Sequence, residues 1–188
     1  FGKGVAGSNY DLTLSPTSSF IELDGIQLSG VENLTIGGDL SLSGNLSAGD
    51  IDIQGDTTLI GDANLTSEIV SCVSSLQITL NGTVDGGHAL SVNGATTFDG
   101  EIGGTTPLAS LTTVGGTVSV GGDVTTTGNQ SFGGEATIAG DTAFTGDDVS
   151  ISGLDGGGFN VNFSATSTTL DANAYSVANI ANLNVSGD

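Results

Sequence analysis

Acidic side chains are the first candidates for chemistry in this sequence, because 21 Asp and Glu residues stand against one basic side chain, Lys3. Asp50 and Asp52 would share one side of a strand, whereas the adjacent Asp147 and Asp148 would point to opposite sides. If stacked corners bring such carboxylates together, a hard divalent cation with oxygen ligands would relieve their repulsion. These four aspartates are therefore our candidate calcium ligands. The alternative is a solvated acidic surface that needs no cofactor.

Other catalytic chemistry has little basis in the residues present. His88 is the single imidazole, and no Gly-x-Ser-x-Gly turn supplies a nucleophile, so we expect His88 at a corner or on a face. Zinc needs three or four nitrogen or sulfur ligands, which one His and one Cys cannot provide. Cys72 lies among apolar residues and is expected to be a small buried hydrophobe. The sequence predicts that the protein is not an enzyme.

Charge and hydropathy exclude several partners. The formal net charge is −20, so nothing can neutralise the phosphates of a nucleic acid, and anionic membrane surfaces are disfavoured for the same reason. No run of about 18 apolar residues exists, which argues against membrane insertion. The first residues show no signal-peptide pattern, so we expect that any secretion signal has been removed.

The chain contains an internal repeat. Residues 33–45 match 117–129 at an offset of 84, and Ile53 matches Ile138 after a slip of one residue. A second correspondence, of Val84 with Leu154, has an offset of 70. We therefore divide one continuous domain into an N-terminal segment with the first coils (1–32), module 1 (33–116) and module 2 (117–188). The difference in offset places extra residues of module 1 around Ser67 to Leu80.

A shorter period of about six residues runs inside each module. Apolar and polar residues alternate over short segments, as in 40–42 and 118–120, which predicts strands of three to five residues with one buried face. Glycines recur between these segments at Gly38, Gly44, Gly49, Gly55 and Gly61, and again at Gly122, Gly128, Gly134, Gly140 and Gly146. We expect them to turn corners with a positive φ, with the neighbouring aspartates completing the turns.

Strands this short are not stable as separate hairpins, but they can pair with equivalent strands in a stacked coil. Coils of roughly 18 to 24 residues would give about eight to ten coils and a rod about 40 to 50 Å long. The predicted fold is all-β, a right-handed parallel β-helix (β-solenoid). The right-handed sense follows the usual rule for parallel crossovers.

Three segments resemble a known group of proteins. Residues 98–111 (FDGEIGGTTPLASL), 122–131 (GDVTTTGNQS) and 141–145 (DTAFT) are similar to repeats in filamentous haemagglutinin-type exoproteins and related large bacterial adhesins. The similarity extends over about residues 33–186. It implies a right-handed parallel β-helix shaft on a cell surface.

The function we expect from these features is structural. The ends of a solenoid expose unpaired strands, and the sequence shows no capping helix, so further copies of the chain would cover them head to tail. We therefore predict a secreted, cell-surface filament subunit with flanks that could be adhesive. The runner-up is a shaft segment of a larger secreted adhesin. A polysaccharide-active β-helix enzyme is less favoured.

Ice binding through threonine arrays is also less favoured, because the threonine pairs are unevenly spaced along the chain. These pairs are Thr57 and Thr58, Thr96 and Thr97, Thr112 and Thr113, Thr125 to Thr127, and Thr168 and Thr169. Their spacings do not match a coil of constant length.

Overall fold

The computed structural model describes residues 5–16, 20–24, 28–67, 76–173 and 175–187. Within these residues the chain forms strands, turns and bends with no helix, and every strand pair is parallel. Lys3 and Cys72 lie outside the described residues.

The first sheet contains nine strands, which lie in sequence order along one side of the molecule that we call face 1. They are β1 (Val5–Leu14), β3 (Leu28–Ile36), β5 (Asp50–Ile53), β7 (Gln77–Leu80), β10 (Ala95–Phe98), β12 (Val118–Val120), β15 (Ala136–Ile138), β17 (Leu154–Asp155) and β19 (Val177–Ala178). Because these strands pair in parallel, the chain must make a full turn between each strand and the next.

The second sheet bends into two sides, face 2 and face 3. Its strands are β2 (Phe20–Asp24), β4 (Asp39–Ala48), β6 (Thr57–Ser67), β8 (Val84–Asp85), β9 (Ala89–Asn93), β11 (Ser110–Val114), β13 (Val124–Thr125), β14 (Gln130–Phe132), β16 (Thr142–Ile151), β18 (Asn160–Leu170) and β20 (Asn182–Ser186). The long strands contribute to both sides: the first part of β6 pairs with β8 and its second part pairs with β9. Face 2 comprises β2, β8, β13, β20 and the first parts of the long strands. Face 3 comprises β9, β11, β14 and the second parts of the long strands, which are β4, β6, β16 and β18.

Equivalent residues on face 1 define the turns. One inward-facing column runs through Leu12, Leu34, Ile51, Ile78, Thr96, Val118, Ala136, Leu154 and Val177. Each step from one member to the next is one turn, so the column spans eight turns. This confirms the predicted all-β parallel solenoid. The right-handed sense of winding stays a prediction.

The turns differ in length. The shortest step of the column joins Leu34 to Ile51, and the longest joins Ile51 to Ile78. The longest turn includes residues 68–75, which lie outside the described residues. The difference between the two repeat offsets predicts extra residues in this part of the chain.

The two repeat offsets have different structural meanings. Leu34 and Val118, which the first offset relates, lie in the same column of face 1, separated by four turns. Val84 and Leu154, which the second offset relates, lie in β8 on face 2 and in β17 on face 1. The first offset therefore joins equivalent positions and the second does not. The predicted module boundary at 116/117 stays a prediction.

The core is a long column of inward apolar side chains, one layer for each turn. Toward the C-terminal end it becomes aromatic, and Phe132, Phe144 and Phe163 are almost completely buried. The rings of Phe144 and Phe163 are stacked with centroids 5.1 Å apart, and Phe132 meets Phe144 edge to face at 5.6 Å. These contacts follow from the parallel register, because Phe144 and Phe163 are direct partners on neighbouring strands.

The expectation that the recurring glycines need a positive φ is wrong for nine of the ten. Only Gly44 among them has a positive φ. Most of the others lie where the backbone of one turn passes close to the turn below. A Cβ at Gly128 would lie 2.6 Å from the Ala109 carbonyl oxygen, and one at Gly55 would clash with the backbone of residues 38 and 39. Close stacking of turns, more than chain reversal, selects glycine here.

Candidate functional site

Aspartate carboxylates link successive turns by accepting backbone hydrogen bonds. The Oδ1 atom of Asp39 accepts from the backbone N–H of Asp56 at 3.1 Å, and the Oδ1 atom of Asp56 accepts from that of Thr83 at 2.8 Å. The same contact joins Asp50 to Gln77, Asp62 to Ala89, Asp85 to Thr105 and Thr106, Asp123 to Ala143, and Asp141 to Asn160. Much of the acidic charge therefore satisfies corner donors that the sheets leave unpaired.

Two aspartates, the linking Asp141 and also Asp155, have lowered pKa values. The backbone N–H of Asn160, followed by its side-chain amide, lowers the pKa of Asp141. For Asp155, the backbone N–H of Gly157 and then the side chain of Asn179 lower the pKa. Both groups accept hydrogen bonds in the charged form, which favours ionisation.

The four candidate calcium ligands do not converge. Asp50 and Asp52 lie on β5 of face 1, whereas Asp147 and Asp148 lie on β16, at the corner between faces 2 and 3. The Oδ1 atom of Asp52 accepts from the Asn81 side chain at 2.8 Å and its Oδ2 atom accepts from Gln54 at 3.2 Å.

The neighbouring strands add no carboxylate to the first pair. Asn33 is the ladder partner of Asp50, whose carboxylate accepts from the backbone N–H of Gln77, and threonines flank Asp52. Within the described ranges, no three His, Cys, Asp or Glu side chains are grouped as a metal site would require. Calcium binding at these positions stays a prediction.

His88 lies between β8 and β9, at a corner, as the sequence predicted. Its Nδ1 atom is 3.9 Å from Oδ1 of Asp62; the Asp62 side chain is largely exposed and that of His88 is about half-buried. The backbone carbonyl of His88 accepts a hydrogen bond from Ala109. Among the described residues, the His88 ring makes no hydrogen bond with a hydroxyl group.

The threonine pairs do not form one array. Thr57, Thr96, Thr113 and Thr126 point into the core. Their outward neighbours are distributed over all three faces, with Thr58 on face 2, Thr97 on face 1 and Thr112 on face 3.

A threonine-rich ladder does exist on face 1, in one outward column. It runs through Thr13, Thr35, Asp52, Thr79, Thr97, Ser119 and Thr137. Sequence reasoning missed this column because it compared spacings with a constant coil, whereas the turns vary in length.

The last turn exposes side chains at core positions. Leu183 and Val185 of β20 are in register with Val161 and Phe163 of β18, which are fully buried. Leu183 and Val185 are themselves 47% and 55% exposed, because no described strand covers them from above. The free edge of β20 also leaves backbone groups without ladder partners. This open edge is the clearest candidate site for an interaction.

The opposite end of the rod presents the strands β1 and β2. Leu12, Leu14 and Ile21 pack against the core and stay partly exposed. Since all strands are parallel, the two ends expose opposite edges of the same two sheets.

Among the described residues, no helix has the length and apolar character needed to cross a membrane. Comparisons with protein-family models, with curated proteins and with solved structures find no match for this chain.

Proposed function

We propose that the protein is a structural subunit of an extracellular, cell-surface filament and that copies stack end to end. The observation that carries the proposal is the last turn, where Leu183 and Val185 occupy core positions and are about half exposed. Burying such side chains against another apolar layer is favourable by about 25 cal/mol per Å².

The parallel topology defines how two copies would meet. In the stacked pair, β19 of one copy adds to β1 of the next on face 1, and β20 adds to β2 on face 2. Leu183 and Val185 would then pack on the layer that contains Ile21 and Leu23. The contact is heterologous and leaves both outer ends open, so it propagates into a fibre.

The resemblance of residues 33–186 to haemagglutinin-type exoproteins supports the cell-surface location and a fibre that could be adhesive. A net charge of −20 disfavours nucleic acids and anionic membranes as partners. No cofactor is required for stacking. Calcium bridging between acidic rods would strengthen it without changing the ends that meet.

The test measures assembly of the purified chain by sedimentation velocity at several calcium concentrations. Leu183→Asp and Val185→Asp each place a charge in the open edge and are expected to leave monomers. Ile60→Asp is the matched control, since Ile60 is 44% exposed on the side of the rod, and it should assemble like the unchanged protein.

Monomers of the unchanged chain under every condition would overturn self-assembly and favour the alternative, a shaft segment of a larger adhesin. Equal loss of assembly in the Ile60→Asp variant would show that the open edge is not the contact.

A further inference from the structure

Face 3 carries an uncharged polar surface along seven turns of a strongly acidic molecule. Its central outward column consists of Asn45, Asn64, Ser91, Thr112, Ser131, Ser150 and Thr169. The corresponding column of face 1 includes Asp52 and Asp155. Asp62, Asp148 and Asp171 each lie two residues from a member of the column on face 3, at its edges. At about 4.8 Å per strand the uncharged column is about 29 Å long.

The side chains of this column are free to bind an external ligand. Those of Asn45, Asn64, Ser91 and Thr112 make no hydrogen bond with any other described residue. On face 1, by contrast, Asn33 donates to Asp11 at 2.6 Å and Gln77 donates to Thr97 at 3.1 Å. Each amide and hydroxyl group on face 3 can both donate and accept.

A groove follows the first four turns of this surface. It has a volume of about 430 Å³, and its polar walls include Asn45, Asn64, Ser91 and Thr112. Asp62, Ser110, Ala63, Ala89 and Leu90 also line it, so one carboxylate stands at the wall of the groove. Ala63 and Leu90 are almost completely buried and form the floor of the groove, whereas Ala89 is partly exposed.

We propose that face 3 binds a neutral polysaccharide, which lies in this groove. Its hydroxyl groups would pair with the free amides and hydroxyls, and its C–H surfaces would contact the partly exposed Ala89. Asp62 and Asp148 at the border would repel anionic glycans. A second copy of the chain fits less well, because two concave surfaces placed face to face would leave a gap between them.

The inference does not rest on end-to-end stacking, since face 3 lies on the side of the rod. The test is native gel electrophoresis through neutral polysaccharides, namely hydroxyethyl cellulose, galactomannan and dextran. Carboxymethyl cellulose serves as the charged counterpart of hydroxyethyl cellulose. We expect retardation in at least one neutral gel and none in the charged gel.

Variants then locate the site. Ser91→Asp and Thr112→Asp should weaken retardation about tenfold, because a carboxylate replaces groups that both donate and accept. Thr137→Asp, which adds the same charge to face 1, should leave the retardation unchanged. Both face 3 variants should still form fibres if the unchanged chain does.

Three results would overturn the inference: retardation in no neutral gel, stronger retardation in the charged gel, or equal loss in Thr137→Asp. A concentration-dependent dimer that Ser91→Asp abolishes, without glycan binding, would instead assign face 3 to contact between copies.

Discussion

At the scale of single residues, the aspartates explain how a chain with a net charge of −20 can form a tightly stacked rod. Each linking carboxylate accepts a backbone hydrogen bond from the next turn, as Asp56 does from Thr83 at 2.8 Å. A carboxylate is a strong acceptor for such a donor, so part of the acidic charge stabilises the fold that it would otherwise destabilise by repulsion.

The lowered pKa of Asp141 predicts a specific pH dependence of stability. Because the pKa in the folded state lies below the ordinary value of 3.8, its contribution is fully present above that value and is lost as the pH falls below it. Unfolding in urea should therefore show that the stability difference between the unchanged protein and Asp141→Asn is largest above about pH 4 and shrinks on acidification.

Asp99→Asn controls for the removal of one charge, since the Asp99 carboxylate accepts no hydrogen bond from the described residues. The difference in stability between Asp99→Asn and the unchanged protein should be smaller than that for Asp141→Asn, or of opposite sign. A difference for Asp141→Asn that grows as the pH falls would contradict the assignment.

Residue types alone predicted that acids would lie at the corners, but not which backbone donor each would meet. That information depends on which turns are neighbours, as for Asp62 and Ala89, which are far apart in sequence and meet across one turn. The calcium hypothesis had the same weakness, because it assumed stacked carboxylates where the register places Asn33 and Gln77 beside Asp50.

At the scale of strands and turns, close stacking limits the size of residues at the corners. A Cβ at Gly134 would clash with the carbonyl oxygen of Gly116 on the turn below, and backbone atoms cannot move aside cheaply. We expect Gly134→Ala to lower the free energy of unfolding by about 1–3 kcal/mol, measured by urea denaturation.

Gly87→Ala provides the control for that prediction, because a Cβ at Gly87 would meet nothing within 4 Å. It should change stability by no more than about 0.5 kcal/mol, or raise it slightly by restricting the unfolded chain. Equal destabilisation by both changes would show that contact between the turns is not the cause.

The alternation of apolar and polar residues predicted the strands and their buried faces, as in β4, where Leu40 and Leu42 are buried. It could not predict the outward ladders. The turns differ in length, as the steps from Leu34 to Ile51 and from Ile51 to Ile78 show, so side chains that stack in space have no fixed spacing in the sequence. The uncharged column of face 3 and the threonine-rich column of face 1 became visible only with the register.

At the scale of the whole molecule, the end-to-end stacking that we propose and the acidic charge would act against each other. Two rods that meet end to end bury apolar side chains but bring two acidic bodies together. Salt screens this repulsion, with a Debye length of about 10 Å at 0.1 M. Fibres of the unchanged chain should therefore form more readily as the ionic strength rises.

Cryo-electron microscopy of such fibres tests the central claim most directly. Nine strands of face 1 at about 4.8 Å each predict an axial repeat of about 43 Å for one copy, with the strand spacing continuous across the junction. A fibre with that repeat, in which β19 and β20 pair with β1 and β2 of the next copy, is the expected result. Rods joined only side by side, or no fibres at any ionic strength, would contradict it.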